Sequence, residues 1–303
     1  MKKRLMPVLP VEAYTSQEWF DKEVKEIFSK NWQFAGFTED VKQVGDYISV
    51  QAGMYNIFIV KGKDLKLRAF HNLCRHRGAQ LLRPIGKNTK VINCPYHNWT
   101  YDLDGKLISV PKKDQEFPQL KKELHQCDLN LHRASVGVFK GMLFVHPDES
   151  APDITTYFGS IKQFLGPHDV ESLIEYSETK DQPFYKKVVQ ANWKIIAENY
   201  IDHYHLSHLH SKTLNMYDHE KAKFGWEGDH YWFYEPLVSR YLKDVENISP
   251  YVLIDSVPKE KIGAYVPWFF PNLGISESES SWSTFHLKPI APDQTEITIR
   301  SKV

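Results

Sequence analysis

Apolar positions recur with a helical period near the start of the chain and change to alternation broken by turns through its middle. They return twice to helical spacing before a last run of strands. Trp19, Phe20, Val24, Ile27 and Phe28 make one apolar stripe, and Thr15 and Glu18 stand at capping-box spacing, which predicts a helix over Thr15 to Trp32. Between Asn31 and His146 the pattern is one of strands. Tyr55 to Val60 and Leu65 to Phe70 flank a Lys-Gly-Lys-Asp turn as in a hairpin, and Asp102 to Gly105 reads as another turn between Tyr101 and Leu107. This middle region reads as an all-β module of roughly one hundred residues. The Pro-rich, polar stretch His146 to Asp153 marks a boundary. Ile154, Tyr157, Phe158, Ile161, Phe164 and Leu165 then fall at helical spacing, with Gly166 placed to cap them. Asn192 to Tyr204 predicts a further helix with Trp193, Ile196, Ala197, Tyr200 and Tyr204 along one stripe. The remainder is mostly strand-like, and Thr295, Ile297 and Ile299 alternate with Glu296, Thr298 and Arg300 as in a half-buried strand. No internal repeat or low-complexity tract is present.

Composition narrows the class. A chain of 303 residues with 42% apolar and 25% charged residues is globular and long enough for one large domain or two ordinary ones. A formal net charge of zero argues against the basic footprint of a nucleic-acid-binding protein. Met1 to Arg4 is basic but leads into Pro7 and Pro10, so neither a signal peptide nor a membrane anchor is expected, and no apolar run approaches a spanning helix. The three cysteines, Cys74, Cys94 and Cys127, do not suit a disulfide framework. They point to a reducing compartment, the cytoplasm, with Cys127 a free structural thiol. The 14 histidines are more telling, because many sit in two short regions.

The first region reads Cys74-Arg75-His76, then 17 residues, then Cys94-Pro95-Tyr96-His97. Each half supplies one thiolate and one imidazole, the inventory of a [2Fe–2S] cluster with two Cys on one iron and two His on the other. Neutral imidazoles in place of two thiolates leave the cluster less negative and raise its reduction potential. A tetrahedral zinc site also takes two Cys and two His, although zinc modules usually pair Cys with Cys in the first knuckle. Four unrelated residues are the remaining alternative.

The flanks carry a resemblance. Cys74-Arg75-His76-Arg77-Gly78-Ala79 and Cys94-Pro95-Tyr96-His97-Asn98-Trp99, followed by Tyr101 and Gly105, resemble the Rieske domain of the ring-hydroxylating oxygenase α-subunit family, which includes choline and carnitine monooxygenase-like members. The likeness runs from about Thr15 to Val303. It implies an α+β fold in which an all-β Rieske [2Fe–2S] domain (39–148) is inserted into a helix-grip catalytic domain (149–303) with an antiparallel sheet, and residues 1–38 form a helical segment packed on the catalytic domain. The cysteines would hold one iron of the cluster and His76 and His97 the other.

The second region, Glu198-Asn199-Tyr200-Ile201-Asp202-His203-Tyr204-His205 and then His210, holds four histidines within eight residues. On composition alone this is equally a solvated polar face. His203/His208 and His205/His210 have the same separation, and on an ideal helix each pair points about 140° apart, so the helix must end or distort between them. The stretch is similar to the family's Asn-x-x-Asp-x-Tyr-His-x-x-x-x-His pattern. By that resemblance His205 and His210 bind a mononuclear Fe(II), Asp202 is the bridge that passes electrons onward, and Asn199 lines the iron cavity. Two His and one carboxylate on one face of iron leave positions for oxygen and substrate. The family's third ligand, an Asp or Glu well downstream, is expected beyond Val303; neither Asp293 nor Glu296 is assigned to it.

The resemblance also implies a homotrimer, admits a β-subunit, and places Asp202 of one subunit against His97 of its neighbour. The expected activity is that of a terminal oxygenase taking electrons from a flavin-dependent or ferredoxin reductase. It would use O2 to hydroxylate, or oxidatively demethylate, a small aromatic or quaternary ammonium substrate. Among Trp226, Tyr231, Trp232, Phe233, Tyr234, Trp268, Phe269, Phe270 and Trp282 a few line its pocket, and most are core. The competing readings are an electron-transfer protein with an incomplete mononuclear site and, third, a zinc-stabilised β-module.

Overall fold

The computed structural model describes residues 9–118, 129–176 and 184–303, so Cys127 lies outside the described residues. The chain forms two compact units: Val24–Tyr157, and the segment up to Glu23 together with Phe158–Val303. The β-rich unit is thus inserted in sequence into the other. Its limits take in the strand Gln33–Phe37 and the residues from Glu149 to Tyr157.

Within the inserted unit, seven antiparallel strands lie in the order Gln33–Phe37, Met142–His146, Arg133–Phe139, Leu67–His71, Tyr55–Lys61, Tyr47–Ala52 and Ile85–Gly86. A smaller sheet joins Ile92–Asn93, Thr100–Tyr101 and Leu107–Ser109. The predicted hairpin forms, with Leu65 in the turn at a left-handed φ of 66°. Tyr55–Lys61 carries the unbroken run Ile57-Phe58-Ile59-Val60 because both its faces are covered. Ile57 and Ile59 pack with Val41, Leu143 and Val145, whereas Phe58 and Val60 pack with Phe70, Cys74, Cys94, Trp99 and Tyr101. The two candidate cysteines therefore belong to one face of this core.

In the other unit the described strands form an antiparallel sheet ordered Glu175–Tyr176, Gln294–Lys302, Trp282–Ala291, Leu273–Glu277, Gly263–Tyr265, His230–Pro236 and Lys223–Glu227. Tyr185–Val189 also pairs with Gln294–Lys302, and Trp268–Phe269 bridges two inner strands. The helix Trp193–Ile201 begins at Asn192, whose side chain accepts the Lys194 amide proton, and lies on the sheet with Tyr200 stacked on Phe285. The strand residue facing the Tyr200 ring is Gly274, where a Cβ would come within 2.5 Å of it. Among the described residues no helix is long and apolar enough to cross a membrane.

Several predicted boundaries differ. The helix expected over Thr15 to Trp32 is three pieces: extended Ser16 separates Glu12–Thr15 from Gln17–Glu23, which runs directly into a π-turn, Val24–Phe28. Ser16, not Thr15, caps the second piece by accepting the Trp19 amide proton, while the Thr15 hydroxyl donates back to the Val11 carbonyl. The pattern from Ile154 gives a short α-helix, Ile154–Phe158, and a 3-10 turn, Gly159–Phe164, ended by extended Leu165 rather than by Gly166. Helix Trp193–Ile201 stops before Tyr204, whose ring is exposed and outside the predicted stripe. On Gln294–Lys302 both faces are partly covered, so the alternation is weaker than for a strand with one wet face.

The N-terminal pieces are held to helix Trp193–Ile201 by a buried charge pair. Lys194 Nζ donates to Glu23 Oε1 at 2.7 Å, Trp193 Nε1 donates to Glu23 Oε2 at 2.8 Å, and Tyr14 donates from its hydroxyl to Glu198. Lys194→Met leaves the Glu23 carboxylate buried with only the indole as partner. It should lower unfolding stability by about 3–5 kcal/mol in urea melts, and Glu23→Leu added to it should recover most of that loss. A Lys194→Met chain that melts like the parent would show the pair to be energetically idle.

Candidate functional site

Cys74 and Cys94 sit in two loops built alike. In each, the Cys N–H bonds to a carbonyl five residues on (Ala79 and Trp99, both 2.8 Å), and the Cys carbonyl accepts from the amide four residues on (Gly78 and Asn98, both 2.9 Å). Both turns need a left-handed residue, supplied by Gly78 (φ 69°) and Asn98 (φ 56°), the two residue types that tolerate it best. Asn72 pins the first loop: its amide donates to Ser49, Asn56 and Leu82, and its carbonyl accepts from the amides of Leu81 and Leu82.

The two thiols are each 3% exposed, and the two imidazoles stand with ring centroids 4.8 Å apart. His76 stacks on Trp99 at 4.8 Å and meets Phe117 edge-on, whereas His97 is exposed and lies against Tyr96. Burial pushes the Cys74 thiol up and the His76 imidazole down. A thiolate in this setting needs an adjacent cation, while the neutral ring is already the ligand form. His76 Nδ1 is buried without a hydrogen-bond partner. An orphaned ring nitrogen beside two buried thiols is the donor set that a bound metal would satisfy. The two-iron cluster fits better than a single ion, because it asks only two protein ligands of each iron. Among the described residues no three His, Cys, Asp or Glu side chains close on one ion. Tyr101, wholly buried, accepts the Arg75 amide proton at 3.1 Å and places its own hydroxyl 3.4 Å from Cys74 Sγ.

The helix break demanded by the second histidine cluster is present. Helix Trp193–Ile201 ends at extended Asp202, and the short helix Leu206–Leu209 has His205 before it and His210 after it. This brings the His205 and His210 rings to 5.3 Å. His205 Nδ1 faces Asp202 Oδ2 at 3.2 Å, and His210 Nδ1 faces Thr213 Oγ1 at 3.2 Å. With each Nδ1 engaged, Nε2 is the nitrogen left for a metal. His203 instead packs on Phe224 and faces the Tyr231 hydroxyl, and His208 is exposed. Asn199 is exposed on its helix. Glu296 pairs with Lys186 and Asp293 is exposed, and among the described residues neither joins the imidazole pair as a third ligand. The pair fits two-thirds of an iron site, with no carboxylate completing it among the described residues.

Beside this segment a cavity of about 210 Å³ opens, with Asp202, His203 and Leu206 in its wall. Of the aromatic residues expected to divide between pocket and core, Tyr231 and Phe233 line it, Trp268, Phe269 and Trp282 are core, and Trp226 is exposed. Sequence reasoning missed Tyr101 as a partner of the first thiol and Glu235 as a wall of the cavity. Glu235 had one visible signal, an acidic residue in phase with Tyr231 and Phe233 on one strand.

Residues 31–130 match the family described as Rieske [2Fe-2S] domain, and residues 169–302 match the ring hydroxylating alpha subunit catalytic domain. The chain is 35% identical over 208 residues to the biphenyl 2,3-dioxygenase subunit alpha of Rhodococcus jostii (66% of this chain, 43% of that one). It is 34% identical over 211 residues to the glycine betaine monooxygenase oxygenase subunit of Chromohalobacter salexigens (68% and 44%). The aligned stretches thus cover less than half the length of these curated relatives. A quaternary ammonium Rieske monooxygenase shares the fold, with a TM-score of 0.76 at 24% identity over 97% of this chain and 75% of its own. So does naphthalene 1,2-dioxygenase from Rhodococcus sp., with a TM-score of 0.74 at 21% identity over 97% and 73%. In this family the first domain carries a [2Fe–2S] cluster and the second binds a mononuclear iron, the two groups that the paired loops and the imidazole pair suit. Both domains occur here in that order along one chain, which therefore belongs to the Rieske non-haem iron oxygenase α-subunit family of dioxygenases and monooxygenases.

Proposed function

We propose that this chain is a terminal oxygenase component that takes electrons from a separate reductase, flavin-dependent or ferredoxin, and uses O2 to hydroxylate or oxidatively demethylate a small aromatic or quaternary ammonium substrate. The observation that carries the proposal is the presence, in one chain, of two donor sets of different character. One is a buried dithiol with two imidazoles, one of them with an orphaned Nδ1. The other is an imidazole pair whose Nδ1 atoms are both engaged, beside a cavity. In this reading Cys74 and Cys94 hold one iron of the cluster, His76 and His97 the other, and His205 and His210 hold Fe(II). When bound, the cluster supplies single electrons and the mononuclear iron a position for O2.

The chain's own residues do the rest. Tyr101 donates a hydrogen bond towards Cys74 Sγ, which stabilises negative charge there. Asp202 keeps the proton on His205 Nδ1 and so fixes its tautomer. The Asp202 side chain is 49% exposed and His97 is exposed, as groups that meet across a subunit interface would be. We therefore read the working form as a homotrimer, with room for a β-subunit, in which Asp202 of one copy accepts a proton bond from His97 of the next. Its place is the cytoplasm, where Cys74 and Cys94 stay reduced and free to bind iron. The absence of a third carboxylate among the described residues favours a second reading, a Rieske electron-transfer protein with an incomplete mononuclear site.

Metal analysis and electron paramagnetic resonance of anaerobically purified protein separate these readings. About three irons per chain with a Rieske-type signal on reduction is the oxygenase result. About two irons with the same signal is the electron-transfer result. Zinc without iron overturns both.

A further inference from the structure

The cavity beside Asp202, His203 and Leu206 is lined by the rings of Tyr200, Tyr217, Tyr231 and Phe233 and by two acidic residues, of which Asp202 is exposed and Glu235 is buried. Glu235 lies on the strand His230–Pro236, in phase with Tyr231 and Phe233, so its side chain is on the face those rings present. It is 2% exposed. Among the described residues its carboxylate meets an imidazole: His219 Nδ1 lies 2.9 Å from Glu235 Oε2. Burial raises the Glu235 carboxyl, and burial first, then the charges of Glu279 and Glu235, raises the Tyr217 phenol.

A buried carboxylate in an aromatic cavity is a poor design for a neutral hydrocarbon. Such a ligand would cover the acid, remove what water it has, and return no compensating interaction. A compact organic cation reverses the balance. Its charge offsets the carboxylate, and the faces of the surrounding rings attract it. Size points the same way, since about 210 Å³ is below the ~300–1,000 Å³ typical of sites for drug-sized ligands and suits a compact head group better than fused rings.

We propose that this cavity receives a quaternary or tertiary ammonium group and that Glu235 is the residue that selects it over an uncharged substrate of the same shape. This rests on the oxygenase reading, of which it names the substrate class.

The test uses choline and its uncharged isostere 3,3-dimethylbutan-1-ol, titrated calorimetrically into the iron-loaded full chain without reductase or oxygen. The parent chain should bind choline about tenfold or more tighter than the isostere, and Glu235→Gln should erase that preference. Equal binding of the two, saturable binding of toluene in place of choline, no saturable binding of either, or a preference that survives Glu235→Gln would each overturn the assignment. If Glu235→Gln fails to fold, the parent chain's choice between the two isosteres decides alone. Binding is read without turnover, so failure of the oxygenase reading shows separately, as missing mononuclear iron in the same preparation.

Discussion

Cys94→Ala is expected to yield a folded chain that has lost the visible absorbance and resonance signal of its cluster, about two irons per chain, and all reductase-driven turnover. The reasoning starts from the loops. Their closure comes from backbone hydrogen bonds of Cys74 and Cys94 to residues four and five positions on, none of which needs the sulfur. Alanine therefore keeps the turn and removes only one of the two anionic ligands of one iron. Metal binding and the local order of these loops are coupled, so a ligand deletion acts on occupancy first. The catalytic unit has its own sheet and its own helix-to-sheet packing, and its mononuclear iron should be retained at about one per chain. Global unfolding of Cys94→Ala, or cluster retained at parental level, would each contradict this account. Tyr101→Phe is the milder companion. It removes the hydroxyl 3.4 Å from Cys74 Sγ and should lower the reduction potential by tens of millivolts, with iron content unchanged.

How much of this was legible in the sequence depends on range. Local spacing carried the two loops, because a Cys-x-His and a Cys-x-x-His each close within six residues and need only Gly78 and Asn98 to turn. Helical geometry likewise required a break between Ile201 and His210, and the break is there. Spacing could not choose between His203 and His205. The proposed assignment of His205 instead rests on Phe224 and Tyr231, on distant strands, which engage His203. Similarly, Thr15 and Glu18 obeyed the capping-box pattern, but Ser16 lies extended and took the cap instead. Tyr204 kept helical phase with Tyr200, yet the helix had already ended three residues earlier, at Ile201. Glu235 and His219 are 16 residues apart and belong to different elements, so their contact belongs to tertiary packing and left no periodic trace.

Asp202→Asn should lower coupled turnover about 10- to 100-fold while all irons stay bound. Asp202 has three local tasks. Its amide closes on the Glu198 carbonyl, its Oδ1 accepts the Tyr204 amide proton at 2.9 Å, and its Oδ2 faces His205 Nδ1 at 3.2 Å. Asparagine offers one carbonyl oxygen for the last two. If that oxygen stays with Tyr204, the new NH2 group opposes the Nδ1 proton of His205, and the ring must change tautomer and surrender Nε2. If the amide turns over, His205 keeps its tautomer and iron, and the Tyr204 amide, on an exposed residue, turns to water. The second arrangement preserves more interactions, so occupancy should survive. What cannot survive either way is the negative charge, which in the proposed trimer is the feature that allows one side chain to accept from His205 and from His97 of a neighbouring copy at once. A purely structural role for Asp202 would appear as a lower melting temperature or lost iron. The bridging role appears instead as slow oxidation of a pre-reduced cluster when substrate and oxygen are added, with melting and metal content at parental values. Parental rates of that oxidation in Asp202→Asn would remove Asp202 from the electron path and with it the need for the trimeric arrangement.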